Sequence, residues 1–282
     1  MSKWNLIVDV AECHNCHNCV VTAKDEFVGN DFPGYTAPHP AQGAGVIRIE
    51  RRVRGSGHHV DTAYLPRLCN HCDDAPCVKA GGGAVKKRGD GIVLFDPATC
   101  RGRRDLVDAC PYGAVVWNEE RQLPQTWFFD AHLLDGGWKE PRGVTVCPTR
   151  AMQAVKLEDD AMAARARAEG LRPLSPELGT KPRVYYRHLE RIDTLFVAGS
   201  VVGAAGSAAE CVEGAVVELS RDGRQVAKAT TDAFGDFRLD GLAPASGAHE
   251  LSIAHPAYGG ARLAIDLDRT SIVLGDLRLD AC

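Results

Sequence analysis

Alternating apolar and polar positions dominate the last third of the chain. From about residue 192 onward, short runs of Val, Leu and Ile alternate with polar residues and are separated by turns such as Arg221-Asp222-Gly223. Such alternation predicts strands that bury one face. Seven runs occur, at 195–202, 214–220, 225–231, 236–239, 249–254, 261–267 and 271–279. We therefore predict a small all-β sandwich over residues 192–282.

The apolar runs in the first part of the chain are shorter. Runs at 114–117 and 152–157 each follow a Cys-Pro pair, and residues 83–96 have the pattern of a hairpin that turns at Arg88-Gly89-Asp90-Gly91. These features predict an α+β domain over residues 1–157. Residues 158–169 are rich in helix formers, begin with acidic side chains and end before Gly170, and a proline-punctuated stretch follows. We assign 158–191 to a helix and linker.

Charge and hydropathy exclude two classes of protein. The 33 basic and 37 acidic side chains leave a net charge of −4, which argues against a nucleic-acid-binding protein. The longest nearly apolar stretch, 197–209, is shorter than the ~20 residues of a membrane span. The amino terminus lacks a sustained apolar region and a twin-arginine leader, so we expect a cytoplasmic chain without a membrane span, although export on a partner stays open.

Cysteine spacing carries the candidate chemistry. Nine of the eleven cysteines precede residue 148, and without a secretory signal this concentration indicates metal binding rather than disulfides. One run, Cys13, Cys16 and Cys19, has C-x2-C-x2-C spacing; a second, Cys69, Cys72 and Cys77, has C-x2-C-x4-C spacing. Cys100 and the Cys-Pro pairs at Cys110 and Cys147 complete the group.

The tight runs favour iron-sulfur clusters over zinc. Three closely spaced thiolates can hold three corners of a 4Fe-4S cluster while a distant Cys-Pro supplies the fourth ligand. Structural zinc sites prefer separated C-x2-C pairs or mixed Cys/His sets. His14, His17 and His71 lie inside the runs and are possible zinc ligands, but we expect them to be solvated or hydrogen-bonded to sulfide.

Other cysteines and basic groups are assigned to the scaffold or to the surface. We expect Cys211 to be a buried apolar thiol and Cys282 a frayed terminus. Three basic groups are expected on the solvated surface, with contact to a partner subunit or compensation of cluster charge as alternatives. They are Arg51, Arg52 and Arg54; Lys86, Lys87 and Arg88; and Arg101, Arg103 and Arg104.

With these motifs, residues 1 to about 157 resemble the four-cluster ferredoxin subunits of the dimethyl sulfoxide reductase superfamily. Those subunits accompany a large catalytic subunit that carries molybdenum or tungsten bis-molybdopterin guanine dinucleotide. Their Cys motifs pair first with fourth and second with third, which implies a ferredoxin-like fold with pseudo-twofold symmetry. By this resemblance Cys13, Cys16, Cys19 and Cys147 hold one 4Fe-4S cluster, and Cys69, Cys72, Cys77 and Cys110 hold a second.

The resemblance also implies that the two middle clusters of the family are lost. Ligand positions of one are occupied by Ala23, Trp127, Asp130 and Gly143, and those of the other by Gly81, Arg103 and Leu106, with only Cys100 retained. Asp130 alone among the replacements could bind iron. We expect Trp127, Phe128, Phe129, Leu106 and Arg103 to fill the vacated volume, because an empty cavity costs ~24 cal/mol per Å³.

Further segments are similar to the small subunits of pyrogallol-phloroglucinol transhydroxylases and related polyhydroxybenzene hydroxylases. They include VDVAECHNC, FPGYTA and ELGTKPRVYY, and the carboxy-terminal part resembles transthyretin-like or carboxypeptidase-regulatory-like domains. The resemblance implies a non-catalytic subunit, in a heterodimer or higher multiple, whose partner holds the active site. An electron-transfer subunit of another molybdopterin oxidoreductase and a scaffold whose clusters only stabilise the fold are the alternatives.

Overall fold

The computed structural model describes residues 1–43, 45–205 and 208–281. The chain forms two compact units. The first contains Met1–Arg51 and Tyr64–Leu189; the second contains Arg52–Ala63 and Glu190–Cys282. None of the helices in the described residues is long and apolar enough to cross a membrane.

Short helices and short strands make up the first 189 residues. The helices are α1 Asn18–Phe27, α2 Pro76–Gly81, α3 Asp105–Asp108, α4 Ala131–Asp135, α5 Arg142–Thr145, α6 Asp159–Ala168 and a 3₁₀ turn at Pro176–Leu178. The strands are β1 Lys3–Asp9, β2 Arg48–Ser56, β3 His59–Arg67, β4 Val85–Lys87, β5 Val93–Phe95, β6 Val116–Asn118, β7 Leu123–Gln125, β8 Met152–Leu157, β9 Arg172–Pro173 and β10 Val184–Arg187.

A four-stranded sheet in the order β8-β1-β10-β9 organises the first unit. The central strand β1 pairs antiparallel with β8 and parallel with β10. Its apolar run is buried on both faces, and Ile7 packs against Met162 of α6. Helix α6 confirms the helix predicted at 158–169 and is one residue shorter at each end. Gly170 lies just beyond it with a positive φ of 63°.

The predicted hairpin turn is confirmed. Strands β4 and β5 pair antiparallel, and the Arg88 amide donates to the Ile92 carbonyl at 2.8 Å across the turn. The run after Cys147 forms β8, and the run after Cys110 overlaps β6, which pairs with β7. Strand β1, helix α1 and the β2-β3 hairpin carry no clear periodic signal, and the sequence does not predict them.

Residues 195–279 of the second unit form an all-β sandwich. After helix α7 (Glu190–Asp193) its strands are β11 Leu195–Ala205, β12 Ala208–Cys211, β13 Val216–Arg221, β14 Arg224–Thr230, β15 Asp236–Leu242, β16 Gly247–His255, β17 Tyr258–Leu267 and β18 Ile272–Leu279. One sheet contains β12, β11, β15 and β18; the other has the order β14-β13-β16-β17. Both sheets contribute to one core, including Val197, Phe237, Leu219 and Leu251.

The described residues between Leu195 and Leu279 form eight strands, one more than the seven predicted. The additional strand is β12, which pairs antiparallel with β11 and contains Cys211. Cys211 is exposed, so the expectation of a buried thiol was wrong. Short Gly- and Ala-rich segments lack the bulky alternating residues that signal a strand, so the sequence gives no indication of β12. Cys282 lies outside the described residues.

Candidate iron-sulfur centres

Four thiols from two distant segments line one cavity of the first unit. Cys13 and Cys16 lie in the loop after β1, Cys19 in the first turn of α1, and Cys147 follows α5. The loop is held compact by positive φ angles at Asn15 and His17, which are 57° and 61°. Ile49, Pro66 and Met152 also line this cavity. The predicted first ligand set is thus brought together around one cavity.

Electrostatics at this cavity disfavour four free thiolates. Burial and the neighbouring thiols Cys13, Cys16 and Cys147 raise the pKa of Cys19 to about 12. Burial also raises the pKa of Cys13, although a backbone hydrogen bond from Asn15 opposes the shift. Iron ligands must be thiolates, so bound cations are needed to compensate their mutual repulsion.

The second set of thiols lines another cavity of the same unit. Cys69 and Cys72 come from the loop after β3, Cys77 lies in the first turn of α2, and Cys110 follows α3. They line this cavity together with Val93 and other apolar side chains. Burial raises the pKa of Cys69 well above its usual range and that of Cys77 to about 12, with Cys110 the next largest influence in Cys77.

The donor chemistry of both cavities fits a 4Fe-4S cluster. Each cavity has four cysteine sulfurs around it, which is the usual ligand set of such a cluster. The His71 amide points to the Cys69 sulfur at 3.4 Å, and N–H bonds of this kind stabilise a thiolate. Over the described ranges no group of three or more His, Cys, Asp or Glu is arranged to hold a single metal ion. The thiols surround a space instead.

Side chains fill the first of the two positions where the resemblance places lost clusters. The Trp127 side chain is fully buried, its Nε1 donates to Asp130 Oδ1 at 2.9 Å, and its ring lies 5.0 Å from that of Phe129. The other Asp130 oxygen accepts the Arg142 amide at 2.9 Å. Burial raises the pKa of Asp130. Both carboxyl oxygens therefore have protein donors, and the volume is packed with aromatic rings.

The second position is filled more simply. Cys100 and Leu106 are fully buried in an apolar core, and the Cys100 thiol donates to the Ala84 carbonyl at 3.4 Å. A Cβ atom on Gly81 would lie 2.8 Å from the Val85 side chain, so a cysteine does not fit there without a shift. Arg103 does not fill the volume as expected. Its guanidinium is half-buried and pairs with Asp105 at 2.7 Å, because a charged group loses less hydration at the surface.

The histidines of the cysteine runs differ in environment. His14 and His17 are exposed. His71 is buried, contrary to the expected solvation, and its Nδ1 accepts the Val93 amide at 3.1 Å. Its Nε2 lacks a hydrogen-bond partner within the part of the chain that the structure describes. The ring packs against Trp127 and Phe129, with centroids 5.9 and 5.4 Å away.

Lys87 is a residue near the second cavity whose placement differs from the expectation. Its sequence context indicates a solvated basic group, but its Nζ donates to the carbonyls of His71 at 2.6 Å and Gly91 at 2.7 Å. It also pairs with Asp73 at 2.9 Å. The available signal is strand alternation, since Lys87 is two residues after the buried Val85 and shares its face in β4.

Two family models match the chain. A 4Fe-4S dicluster domain matches residues 60–157, and a carboxypeptidase regulatory-like domain matches residues 197–279. The first match includes five of the eight candidate ligands and Cys100. The second coincides with the β-sandwich, in agreement with the transthyretin-like fold inferred from its sequence.

Curated relatives are subunits of redox and hydroxyl-transfer complexes. The chain is 39% identical to the pyrogallol hydroxytransferase small subunit of Pelobacter acidigallici, over 99% of this chain and 100% of that protein. It is 32% identical to a tetrathionate reductase subunit of Salmonella typhimurium, over 67% of this chain and 73% of that one. A sulfite dehydrogenase subunit of Allochromatium vinosum is 28% identical, over 66% and 83% of the two chains.

Proposed function

Because this chain belongs to the family of small iron-sulfur subunits of molybdopterin oxidoreductases, we propose that it holds two 4Fe-4S clusters beside a catalytic subunit that acts on polyhydroxylated aromatics. The partner would carry molybdenum or tungsten bis-molybdopterin guanine dinucleotide and the active site. The complex would be a transhydroxylase or hydroxylase, and this chain would contribute no catalytic residue.

The main support for two clusters is where the structure places the nine cysteines that precede residue 148. Eight line two separate cavities in sets of four, whereas Cys100 lines neither of them and its thiol donates to the Ala84 carbonyl. The positions of the family's two other clusters contain Trp127, Leu106 and other side chains that are already bonded or packed. This placement supports two bound clusters, with protein side chains at the positions of the family's other two clusters.

The similarity over full length to a pyrogallol hydroxytransferase small subunit supports the aromatic substrate class. Transfer of a hydroxyl group between aromatic rings is redox-neutral overall, so it does not require a continuous line of clusters. A 4Fe-4S cluster, when bound, accepts and donates one electron. With the middle positions filled, the two sites exchange electrons with each other poorly, which suits a reaction without net electron flow.

Exposure at the first cavity favours one alternative, an electron-transfer subunit that exchanges electrons from one end only. Cys16 is exposed and Cys13 and Cys147 are half-buried, whereas three thiols of the second set are buried. Addition of substrate to the anaerobic complex distinguishes the two functions. Clusters that remain oxidised during turnover support the redox-neutral transferase, and clusters that substrate reduces support electron transfer.

Two ligand variants and one control variant test the cluster assignment. Iron and acid-labile sulfide are measured per complex for the unchanged protein, Cys110→Ala, Cys147→Ala and Cys100→Ala, with zinc measured on the same samples. We expect the first two variants each to lose about four iron and four sulfide, and Cys100→Ala to lose none. Loss of iron from Cys100→Ala, or zinc without sulfide in the unchanged protein, contradicts the proposal.

A further inference from the structure

The Lys87 ammonium is bound to the inside of the loop that carries two thiols of the second set. Its three hydrogen-bond partners are the His71 and Gly91 carbonyls and the Asp73 carboxylate. An ammonium group has three donors, so each has an acceptor. The side chain is 20% exposed. Both His71 and Asp73 adjoin Cys72 in the chain, and the ammonium is therefore fixed against the Cys69–Cys72 loop.

The charge of Lys87 acts on the thiols of that loop. Its Nζ lies 2.6 Å from the carbonyl oxygen of His71, a residue that lines the second cavity, and the His71 amide lies 3.4 Å from the Cys69 sulfur. Electrostatic interactions in a partly buried site are stronger than in water, because the effective dielectric constant is about 20 rather than 80.

Neighbouring charges do not cancel this cation. Lys87 pairs with Asp73, and Asp73 links it to a network that contains Lys3 on β1, Asp159 on α6 and Arg183 before β10. Arg183 pairs with both carboxylates, and Lys3 also contacts both. The network thus contains three cations and two carboxylates, and its net charge is +1. Lys87 is the cation that is hydrogen-bonded to the Cys69–Cys72 loop.

We propose that Lys87 raises the reduction potential of the cluster at the second cavity. This inference rests on the proposed 4Fe-4S cluster at Cys69, Cys72, Cys77 and Cys110. One added electron makes the cluster and its four thiolates more negative, and a fixed cation nearby stabilises that reduced form more than the oxidised form. No proton is transferred and no bond changes, so Lys87 tunes the equilibrium without entering the reaction.

Potentiometric titration of the intact complex, monitored by electron paramagnetic resonance, tests the proposal. Lys87→Met removes the charge, and Lys87→Gln removes it while keeping amide donors for the two carbonyls. Lys87→Arg retains the charge. Lys86→Met is the matched control, because Lys86 is the adjacent lysine of β4 and is exposed. The signal of the second cluster is identified as the one that Cys110→Ala abolishes.

We expect Lys87→Met and Lys87→Gln to lower the reduced-to-oxidised ratio of the second cluster about tenfold at a fixed potential, which is about 59 mV for one electron. The midpoint potential of the other cluster should not change in these variants. In Lys86→Met and Lys87→Arg, the midpoint potential of the second cluster should stay near that of the unchanged protein. An unshifted midpoint in both neutral variants with full iron content overturns the proposal, as does an equal shift in Lys87→Arg. Absence of the Cys110-dependent signal from the unchanged complex contradicts the proposed function instead.

Discussion

Replacement of Arg54 by Met should destabilise the second unit more than any surface charge change. Arg54 lies in strand β2, its side chain is 1% exposed, and it pairs with Asp61 at 2.6 Å and Asp240 at 3.0 Å. Its Nη1 also donates to the Thr194 carbonyl at 3.2 Å. The guanidinium stacks over Phe196, 5.4 Å from the ring centroid. The change removes the charge and leaves these acceptors behind.

The expected cost is about 3 kcal/mol. Removal of one partner from a buried ion pair costs about 3–5 kcal/mol. The lower end applies because Asp61 keeps Arg191 at 2.5 Å and Asp240 keeps Arg238 at 2.5 Å. We expect Asp61 to stay ionised after the change, because it keeps the hydrogen bond from Arg191, which lowers its pKa more than the one from Arg54. Burial raises its pKa, but hydrogen bonds from Arg191 and Arg54 lower it to about 2.

Hydrogen exchange measures the cost locally. The free energy of opening is followed at the amides of β15, which contains Asp240. Arg191→Met is the control, because Arg191 binds the same Asp61 but its side chain is 26% exposed, and we expect a loss of at most about 1 kcal/mol. Equal losses in the two variants, or a loss below about 1 kcal/mol for Arg54→Met, would refute the assignment of Arg54 as a buried anchor.

Three further outcomes concern the first unit. Trp127→Ala should lower the free energy of unfolding by about 3–5 kcal/mol in urea titrations. Trp127→Phe, which loses the bond to Asp130 and part of the ring volume, should cost less, about 1–3 kcal/mol. Gly81→Ala should cost about 1–3 kcal/mol in the same assay, while Gly143→Ala, whose Cβ meets nothing nearer than 3.8 Å, should change stability by less than about 1 kcal/mol. Burial and a nearby lysine lower the pKa of His39 to about 4, so the unfolded state binds more protons between about pH 4 and 6.5. The neutral His39 side chain therefore contributes about 3 kcal/mol to the free energy of unfolding above pH 6.5, and this contribution is lost as the pH falls toward 4. In unfolding titrations at several pH values, His39→Asn should reduce this dependence of the free energy of unfolding on pH.

Local signals in the sequence are sufficient for the hairpin at Arg88–Gly91 and for helix α6, because turn residues and helix formers act within a few positions. The burial of Arg54 is not predictable in this way. Its acceptors Thr194 and Asp240 are far away in the chain, and the triplet with Arg51 and Arg52 has the composition of a solvated surface. The expectation that Arg54 is solvated was therefore wrong.

Cysteine spacing limits the candidate ligands, but spacing alone leaves open which Cys-Pro pair joins which run. The structure places Cys147 with the first run and Cys110 with the second, in the arrangement that the family resemblance implied. The packing of Cys100 depends on the side-chain volumes at Leu106 and Gly81. The spacing of residues along the sequence does not show which side chains share a volume, so this packing could not be predicted. The continuous apolar run of strand β1 has no period, so it does not identify a strand by itself.

The order of the cysteines along the chain has a consequence for biogenesis. About forty residues separate Cys69 from Cys110, and more than three times as many separate Cys13 from Cys147. Closing the longer loop costs about 1 kcal/mol more. On the ribosome the second set is complete once residue 110 has emerged, while the first still lacks Cys147 and also the strand β10 that pairs with β1. For the two clusters proposed above, insertion would therefore begin at the set in the interior of the chain, and the cysteines near the amino terminus would be exposed to oxidation until Cys147 is synthesised.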